Sequence, residues 1–509
     1  MPCFYVFLAI FVLLKTWLNR KRQKLPPGPT PLPLVGNMHL FFIGKLRGKS
    51  NVDLTIDWKK RYGNVYTVWI GPTPVVFVCD YKTAIDAFVK NGDAHAARQD
   101  CFSMREPRGG NKGLIFADGP GWREQKRFAL VTLRNFGMGR NIMQQRILEE
   151  ANYRFENLNE EIANNKGATV INPEPFFELL IGSIINQLMA GYRYDETNSE
   201  EFLTLKRCFR VVLEEFTPID FLMFSKKTYQ LPLFKQRWNR VIDPIAQVRR
   251  VMKRQIEERK QKIAENQHVL NLYEGGDDFI DAYLVEMEKR KMNGEEMGSF
   301  SDENLETVLL DLWIAGSDTT IAATVWGMVF MLNDSKIQDL VRDEVHMVTK
   351  GNRPVELSDK TSLSYTNAVI TEIFRCSCIL NINLFHATCF DTVVGDYLIP
   401  KGTAITPQLS TILNDDSEFV DSGKFIPERY LENKKLEQQV IPFSIGKRSC
   451  LGEGLARAEL FLILTNFFQN FKVSVPEGCD PPSVEQIALD GTLKRSRPFK
   501  IKVEKAQFV

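Results

Sequence analysis

Apolar and polar positions divide the chain into stretches of different kinds. Cys3 to Leu14 is unbroken apolar, Lys15 and Thr16 interrupt it, and Trp17 and Leu18 follow. About 18 residues of helix span roughly 27 Å, enough to cross a hydrocarbon core. Lys15 can snorkel and Trp17 suits an interface. No small-x-small cleavage site follows. The basic stretch Arg20-Lys21-Arg22-Gln23-Lys24 comes instead, a stop expected to stay on the cytosolic side. Residues 1–24 are therefore expected to be an uncleaved membrane anchor, not a secretory signal. Residues 25–35, Leu-Pro-Pro-Gly-Pro-Thr-Pro-Leu-Pro and on, cannot be helix or central strand because proline lacks the N–H; they predict an extended, semi-rigid neck.

Beyond the neck, Val65 to Ile70 and Val75 to Cys79 predict a hairpin turning through Gly71-Pro72-Thr73-Pro74. A long irregular stretch runs from Gly92 to Gly121, and Trp122 opens the next helix. From Gln144 to about Glu288 apolar periodicity predicts mostly helix, with Arg249 to Lys262 a solvated basic face. Ser301 caps a helix that is apolar on nearly every side from Leu305 to Leu332. Such a helix is buried. A membrane span is the competing reading, but Asp311 and Asp318 are costly in lipid. Leu451 to Phe468 is a further apolar, helix-prone run. Ile399-Pro400-Lys401-Gly402-Thr403 reads as a turn and Gly491 as part of a late hairpin. The sum is a mainly α fold with a smaller β portion.

Composition changes this picture little. A chain of 509 residues exceeds the size at which single cores divide. Yet no Gly/Ser-rich or charged linker breaks it after residue 35, so residues 36–509 are expected to form one body. Net charge of +2 gives no reason to expect nucleic acid as a partner. Nine cysteines without C-x-x-C spacing make a zinc site or disulfide framework unlooked-for and place the body in a reducing compartment. Gly44 to Ser50 approaches a phosphate loop, but Ile43 stands where the first glycine is required. No nucleotide fold is expected.

Candidate chemistry concentrates in Phe443-Ser444-Ile445-Gly446-Lys447-Arg448-Ser449-Cys450-Leu451-Gly452. Cys450 precedes a helix, where orphan N–H groups favour a thiolate. Lys447 and Arg448 add positive charge, so a lowered thiol pKa is expected, as a metal-ligating cysteine needs. Gly446 and Gly452 let backbone approach something flat and large, and Phe443 can cover the sulfur. The bland alternative is a small buried hydrophobe. Ala315-Gly316-Ser317-Asp318-Thr319-Thr320 sits inside the long buried helix. Glycine weakens the helix there and a threonine hydroxyl can open the ladder, predicting a polar notch in an apolar wall. Glu372 and Arg375 share a helix face.

The spacing F-x-x-G-x-R-x-C-x-G resembles the haem-binding loop of the cytochrome P450 family. A-G-S-D-T-T resembles its oxygen-side motif, and E-x-x-R with Pro427-Glu428-Arg429 resembles its structural clamp. The resemblance implies haem b between the long central helix and the cysteine loop, its iron ligated by Cys450. Thr319 would steady bound oxygen, Asp318 would pass protons, and Ala315 would face haem and substrate. Trp122, Lys126, Arg98 and His386 would meet the propionates, with Phe443 and Arg448 also against the cofactor; the family has arginine where this chain has Lys126, and Arg127 follows. Glu372, Arg375 and Arg429 would hold the cysteine loop on the core. Phe116, Ile379, Leu380, Leu384 and Leu489 would line the pocket. The activity implied is insertion of one atom of O₂ into an apolar organic substrate (drug, fatty acid or steroid). Electrons would come from NADPH through NADPH–cytochrome P450 reductase, at the endoplasmic reticulum membrane. A peroxide isomerase, a non-catalytic haem carrier and a helical membrane scaffold are the rival readings; the Asp318-Thr319 pair speaks against the first two.

Overall fold

The structure, a computed structural model, describes residues 16, 19–136, 141–195, 197–217, 220, 223–272, 275–486 and 493–506. The apolar run at residues 3–18 lies outside the described residues but for residue 16; of the expected anchor, only residue 16 and the basic stop at residues 19–24 are described. Helices α1 (Met38–Leu46) and α2 (Asn51–Tyr62) lead into strands β1 (Val65–Ile70) and β2 (Thr73–Val78). Strand β3 (Ala97–Arg98) precedes α3 (Gly119–Asn135) and α4 (Asn141–Asn164). Strand β4 (Ala168–Ile171) is followed by α5 (Pro173–Ala190), α6 (Ser199–Glu215), α7 (Pro232–Val241), α8 (Asp243–Ala264) and α9 (Phe279–Asn293). Then come α10 (Asp302–Asn333), α11 (Ser335–Thr349) and α12 (Ser364–Ser377). The short strands β5 (His386–Ala387), β6 (Thr392–Val394), β7 (Tyr397–Ile399) and β8 (Ala404–Pro407) precede α13 (Glu453–Asn470), β9 (Phe471–Ser474) and β10 (Ile501–Lys505).

Helix α10 is the axis. Ser301 is extended and its hydroxyl accepts from Asn304 N–H at 3.2 Å, while Asp302 and Glu303 meet the positive end. Asp334 ends α10 and caps α11, accepting from Lys336 N–H. Helices α5, α8, α12 and α13 pack around α10. Its length and apolarity would suit a membrane span, but most of it is buried inside the protein. Gly316 admits α5: a Cβ there would lie 2.7 Å from Ile185 Cδ1.

Five strands pair in the order β1-β2-β8-β5-β3, three in the order β4-β10-β9, and β6 pairs with β7. The β1–β2 turn is tighter than the sequence suggests: Ile70 pairs with Thr73, so only Gly71 and Pro72 turn. Pro74 is tolerated in β2 because β8 pairs with that strand only from Val75 onward. Strand β4 interrupts the stretch read as helix. The proline neck is not a free spacer. Thr67 N–H donates to Pro27 O at 2.8 Å, Asn37 N–H to Trp69 O at 2.7 Å and Trp69 N–H to Asn37 Oδ1 at 2.7 Å. The neck thus covers the open edge of β1, an edge that would otherwise invite pairing with another chain. The near-phosphate loop is a helix–turn–helix, with Ser50 and Asp53 forming the capping box of α2. The basic face of α8 is largely spent within the fold: Arg249 pairs with Glu306, Arg254 with Glu201, Arg259 with Asp278 and Asp281, and Lys260 with Asp302.

Glu372 and Arg375 are fully buried and bidentate, with Nε–Oε2 and Nη2–Oε1 both 2.8 Å. Arg429 Nε donates to Glu372 Oε1 at 3.2 Å and Tyr430 hydroxyl to Oε2 at 2.6 Å. Arg375 also donates to the carbonyls of Leu413, Ser422 and Lys424. The network ties α12 to residues 413–430, and its contacts with the cysteine loop are indirect. Burial opposes the Glu372 charge, but Arg375 and the Ile426 N–H hold its carboxyl below the usual range. Arg375→Met should cost about 3–5 kcal/mol, because it strands a buried carboxylate; urea unfolding of the variant against wild type measures it.

Candidate active site

Cys450 sits two residues before Gly452, the N-cap of α13. Its N–H donates to Phe443 O at 2.8 Å, closing the loop. Phe443 packs edge-on against Phe374, with Arg457 5.0 Å from its ring centre. Gly446 has φ +75°, and a Cβ there would lie 1.9 Å from the Phe88 carbonyl oxygen. Its glycine is therefore demanded by protein backbone, not by a cofactor. At Gly452 a Cβ would lie 4.0 Å from the Cys450 sulfur, in ordinary contact.

The expected lowering of the thiol pKa is not found. Cys450 is an exposed residue, yet burial pushes its thiol up, against the Gly452 N–H and Lys126, which favour the thiolate. The two cations named from sequence are engaged elsewhere: Lys447 pairs with Asp93, and Arg448 donates to Ala96 O at 2.7 Å and Ala117 O at 2.8 Å. Bonding to a metal deprotonates such a thiol outright.

Beside the thiol three cations crowd together. Strand pairing sets Arg98 opposite His386. Arg448 lies 3.4 Å from the centre of the Trp122 ring and Lys126 5.5 Å from it. Burial, aided by mutual repulsion, pulls Lys126 down to about 8 and Arg448 to about 8; burial takes Arg98 to about 10. Arg448 Nη1 is buried without a partner. Lys126 turns inward, where its ammonium donates to the Lys447 carbonyl, whereas Arg127 is exposed. The Trp122 indole N–H donates to Leu114 O at 3.1 Å. His386 Nδ1 lies 2.8 Å from His95 O, and burial followed by Arg98 keeps the ring neutral.

On α10, Ala315 is exposed and Leu312, Gly316 and Thr319 are half-buried, a single strip on a helix otherwise buried from Asn304 to Met331. Thr319 hydroxyl donates to Ala315 O at 2.5 Å. The helix nonetheless stays α-helical throughout, so the expected break in its ladder is absent. Asp318 is buried, 3.6 Å from Arg495, and burial raises its pKa. Together with Glu174 and Arg495 it lines a small surface pocket. Arg98 donates to Ile115 O and Leu384 O, Leu380 bridges Leu493, and Ile379 O accepts from Lys494 N–H at 2.7 Å. The Phe116 ring lies under Arg108, 4.7 Å from the guanidinium. Leu489 and Gly491 lie outside the described residues.

Two buried acids escaped the sequence reading as site elements. Asp311 binds the 108–115 segment, and the polar spacing Asn304, Thr307, Asp311 on an apolar helix was the available signal. Glu459 of α13 is 1% exposed, and neither of its oxygens has a hydrogen bond of normal geometry. Nothing in its spacing marked it.

One thiol, three mutually repelling cations, an unpartnered guanidinium N–H and one uncovered apolar strip suit a large flat cofactor with two carboxylates. These residues fit haem, and the fold and site define a haem-thiolate protein. The chain belongs to the cytochrome P450 family, whose family model matches residues 26–503. It is 35% identical to a probable cytochrome P450 cyp-35D1 of Caenorhabditis elegans, over 92% of this chain and 93% of that protein. It is 34% identical to cytochrome P450 2B2 of Rattus norvegicus, over 93% of each. It is also 33% identical to cytochrome P450 2C8 of Homo sapiens, over 92% of this chain and 91% of that one. Family membership makes it a haem-containing monooxygenase of organic substrates.

Burial raises the Glu459 carboxyl to about 8, with Thr320 the group that favours its ionised form. A carboxyl raised on folding contributes stability that is full below its unfolded pKa and lost as pH rises through the folded value. The contribution of this group to stability should fall from about pH 4.5 to about 8, with a slope of up to about 1.4 kcal/mol per pH unit. Denaturant titrations of Glu459→Gln should show that part of the slope removed.

Proposed function

We propose that this chain is a membrane-anchored monooxygenase of apolar small molecules such as drugs, fatty acids or steroids. Residues 1–24 would tether it to the endoplasmic reticulum and residues 36–509 would form the cytosolic catalytic body. Electrons would come from NADPH through NADPH–cytochrome P450 reductase. The observation that carries this reading is the meeting of Cys450 with Arg98, Lys126 and Arg448 beside α10. Contacts run unbroken from Lys126 and Trp122 through Leu114 to Asp311, one turn before the uncovered Ala315.

In this reading Cys450 would ligate the iron, and Arg98, Lys126 and Arg448 would hold the propionates, with His386 paired opposite Arg98. Bound haem supplies oxygen activation, which a thiolate ligand favours. The residues around it do the rest. Ala315 leaves room for substrate above the strip. Thr319 presents a hydroxyl already fixed on Ala315 O. Asp318 holds a proton between interior and surface, since burial favours its neutral form and its pocket with Glu174 and Arg495 reaches the outside. Phe116, Ile379, Leu380 and Leu384 form the apolar wall.

Reconstitution with the reductase in phospholipid tests this. NADPH consumption should rise with an apolar substrate, and product should carry oxygen from O₂. Hydroperoxide turnover without NADPH, and none with it, would overturn the reading. Asp318→Asn should retain haem but lower turnover about a hundredfold. Thr319→Ala should retain haem and release more hydrogen peroxide per NADPH; tight coupling in that variant would contradict the role of the hydroxyl.

A further inference from the structure

Each residue of the polar stripe on the first half of α10 reaches the 108–115 segment. Asn304 Oδ1 accepts from Gly113 N–H at 2.9 Å, and Thr307 hydroxyl donates to Arg108 O at 3.0 Å. Asp311 takes most of the load: Oδ2 accepts from Leu114 N–H at 2.7 Å and Ile115 N–H at 2.9 Å, while Oδ1 accepts from Arg108 Nε at 3.1 Å. Asp311 is 1% and Arg108 3% exposed. Gly113 is required, since a Cβ there would lie 2.4 Å from Asp311 Oδ2 and its φ is +84°. Arg108 in turn lies over Phe116 and donates to Met104 O at 2.8 Å.

A carboxylate that accepts from two loop N–H groups and a buried guanidinium fixes this loop to the helix beside the Asn304, Thr307 and Lys112–Glu303 contacts. Breaking the pair by removing one charge strands the other in the interior, whereas removing both relieves that cost. The pair also sets the ring that Arg108 covers. Asp311 itself lies one helical turn from Ala315 and is sealed from the strip. We propose that Asp311 is a positioning residue that selects among apolar substrates without touching them, by locking residues 108–116 onto α10 and, through Arg108, fixing the Phe116 ring. The proposal deepens the function above and rests on Phe116 lining the substrate pocket.

The experiment compares wild type, Asp311→Asn and the double variant Asp311→Asn with Arg108→Met, each as haem-loaded full-length protein. Three readouts are taken: thermal stability, hydrogen–deuterium exchange of the Leu114 and Ile115 amides, and dissociation constants of a slender fatty acid and a bulky steroid from shifts of the haem band. In Asp311→Asn, exchange at the two amides should quicken by about tenfold or more and stability should fall. The ratio of the two dissociation constants should move by about tenfold. In the double variant stability should recover toward wild type while the altered ratio persists, because Phe116 remains uncovered. Unchanged exchange in Asp311→Asn would overturn the lock. Recovery of the wild-type ratio together with stability would overturn the selective role and leave a purely structural pair. If wild type answers neither ligand, the functional reading and the selective role fall together, and exchange alone still decides the lock.

Discussion

Between Asn304 and Met331 helix α10 is buried except along one strip, and the surrounding packing follows from that demand. An apolar helix in a soluble body gains stability from every neighbour that excludes water, so an exposed Ala315 flanked by half-buried Leu312, Gly316 and Thr319 runs against the general trend. Helix α5 closes one flank so tightly that a Cβ at position 316 would push on the Ile185 side chain. Helices α8, α12 and α13 close others. The Asp311 contacts bring the 108–116 segment over the first half of the helix.

Around the strip the protein tolerates interactions that would otherwise be lost. Arg98, Lys126 and Arg448 repel one another, and burial discourages the charge of each. The Cys450 thiol is held in its neutral form by burial. A ligand carrying two carboxylates and a metal ion reverses both penalties, since it neutralises the cations and ionises the thiol. The rigid surroundings keep the groups from relaxing apart: Arg448 is pinned by two carbonyls, Gly446 is wedged against Phe88, and the Glu372 network fixes the segment that precedes the cysteine loop. Burial thus supplies position, and the ligand supplies the compensating charge.

Much of this was legible in the residues. The all-round apolar run announced α10, and Ser301 marked its start. Cys450 with its glycines and cations announced a ligand site, and the E-x-x-R pair announced the clamp that the structure brings together with Arg429. Less legible was which groups meet. The sequence puts the charges of Lys447 and Arg448 near the thiol, and tertiary contacts at Asp93, Ala96 and Ala117 hold them. Gly446 answers to the Phe88 carbonyl, a neighbour far away in the chain. The Trp122 indole N–H meets the carbonyl of Leu114. The proline neck was read as a spacer because its composition excludes helix, and composition does not reveal that the edge of β1 needs a cover. Glu459 was invisible because a lone acid in an apolar helix has no periodicity to betray it.

The proposed bond between the Cys450 sulfur and iron is the interaction on which the function rests. The absorption spectrum of the reduced, carbon-monoxide-bound holoprotein reports that bond directly, measured for wild type and for Cys450→Ala. Wild type should show the red-shifted band of thiolate ligation, and the variant should lose it while the remaining fold persists. A wild-type band of the nitrogen-ligated kind, or a thiolate band that survives in Cys450→Ala, would contradict the assignment.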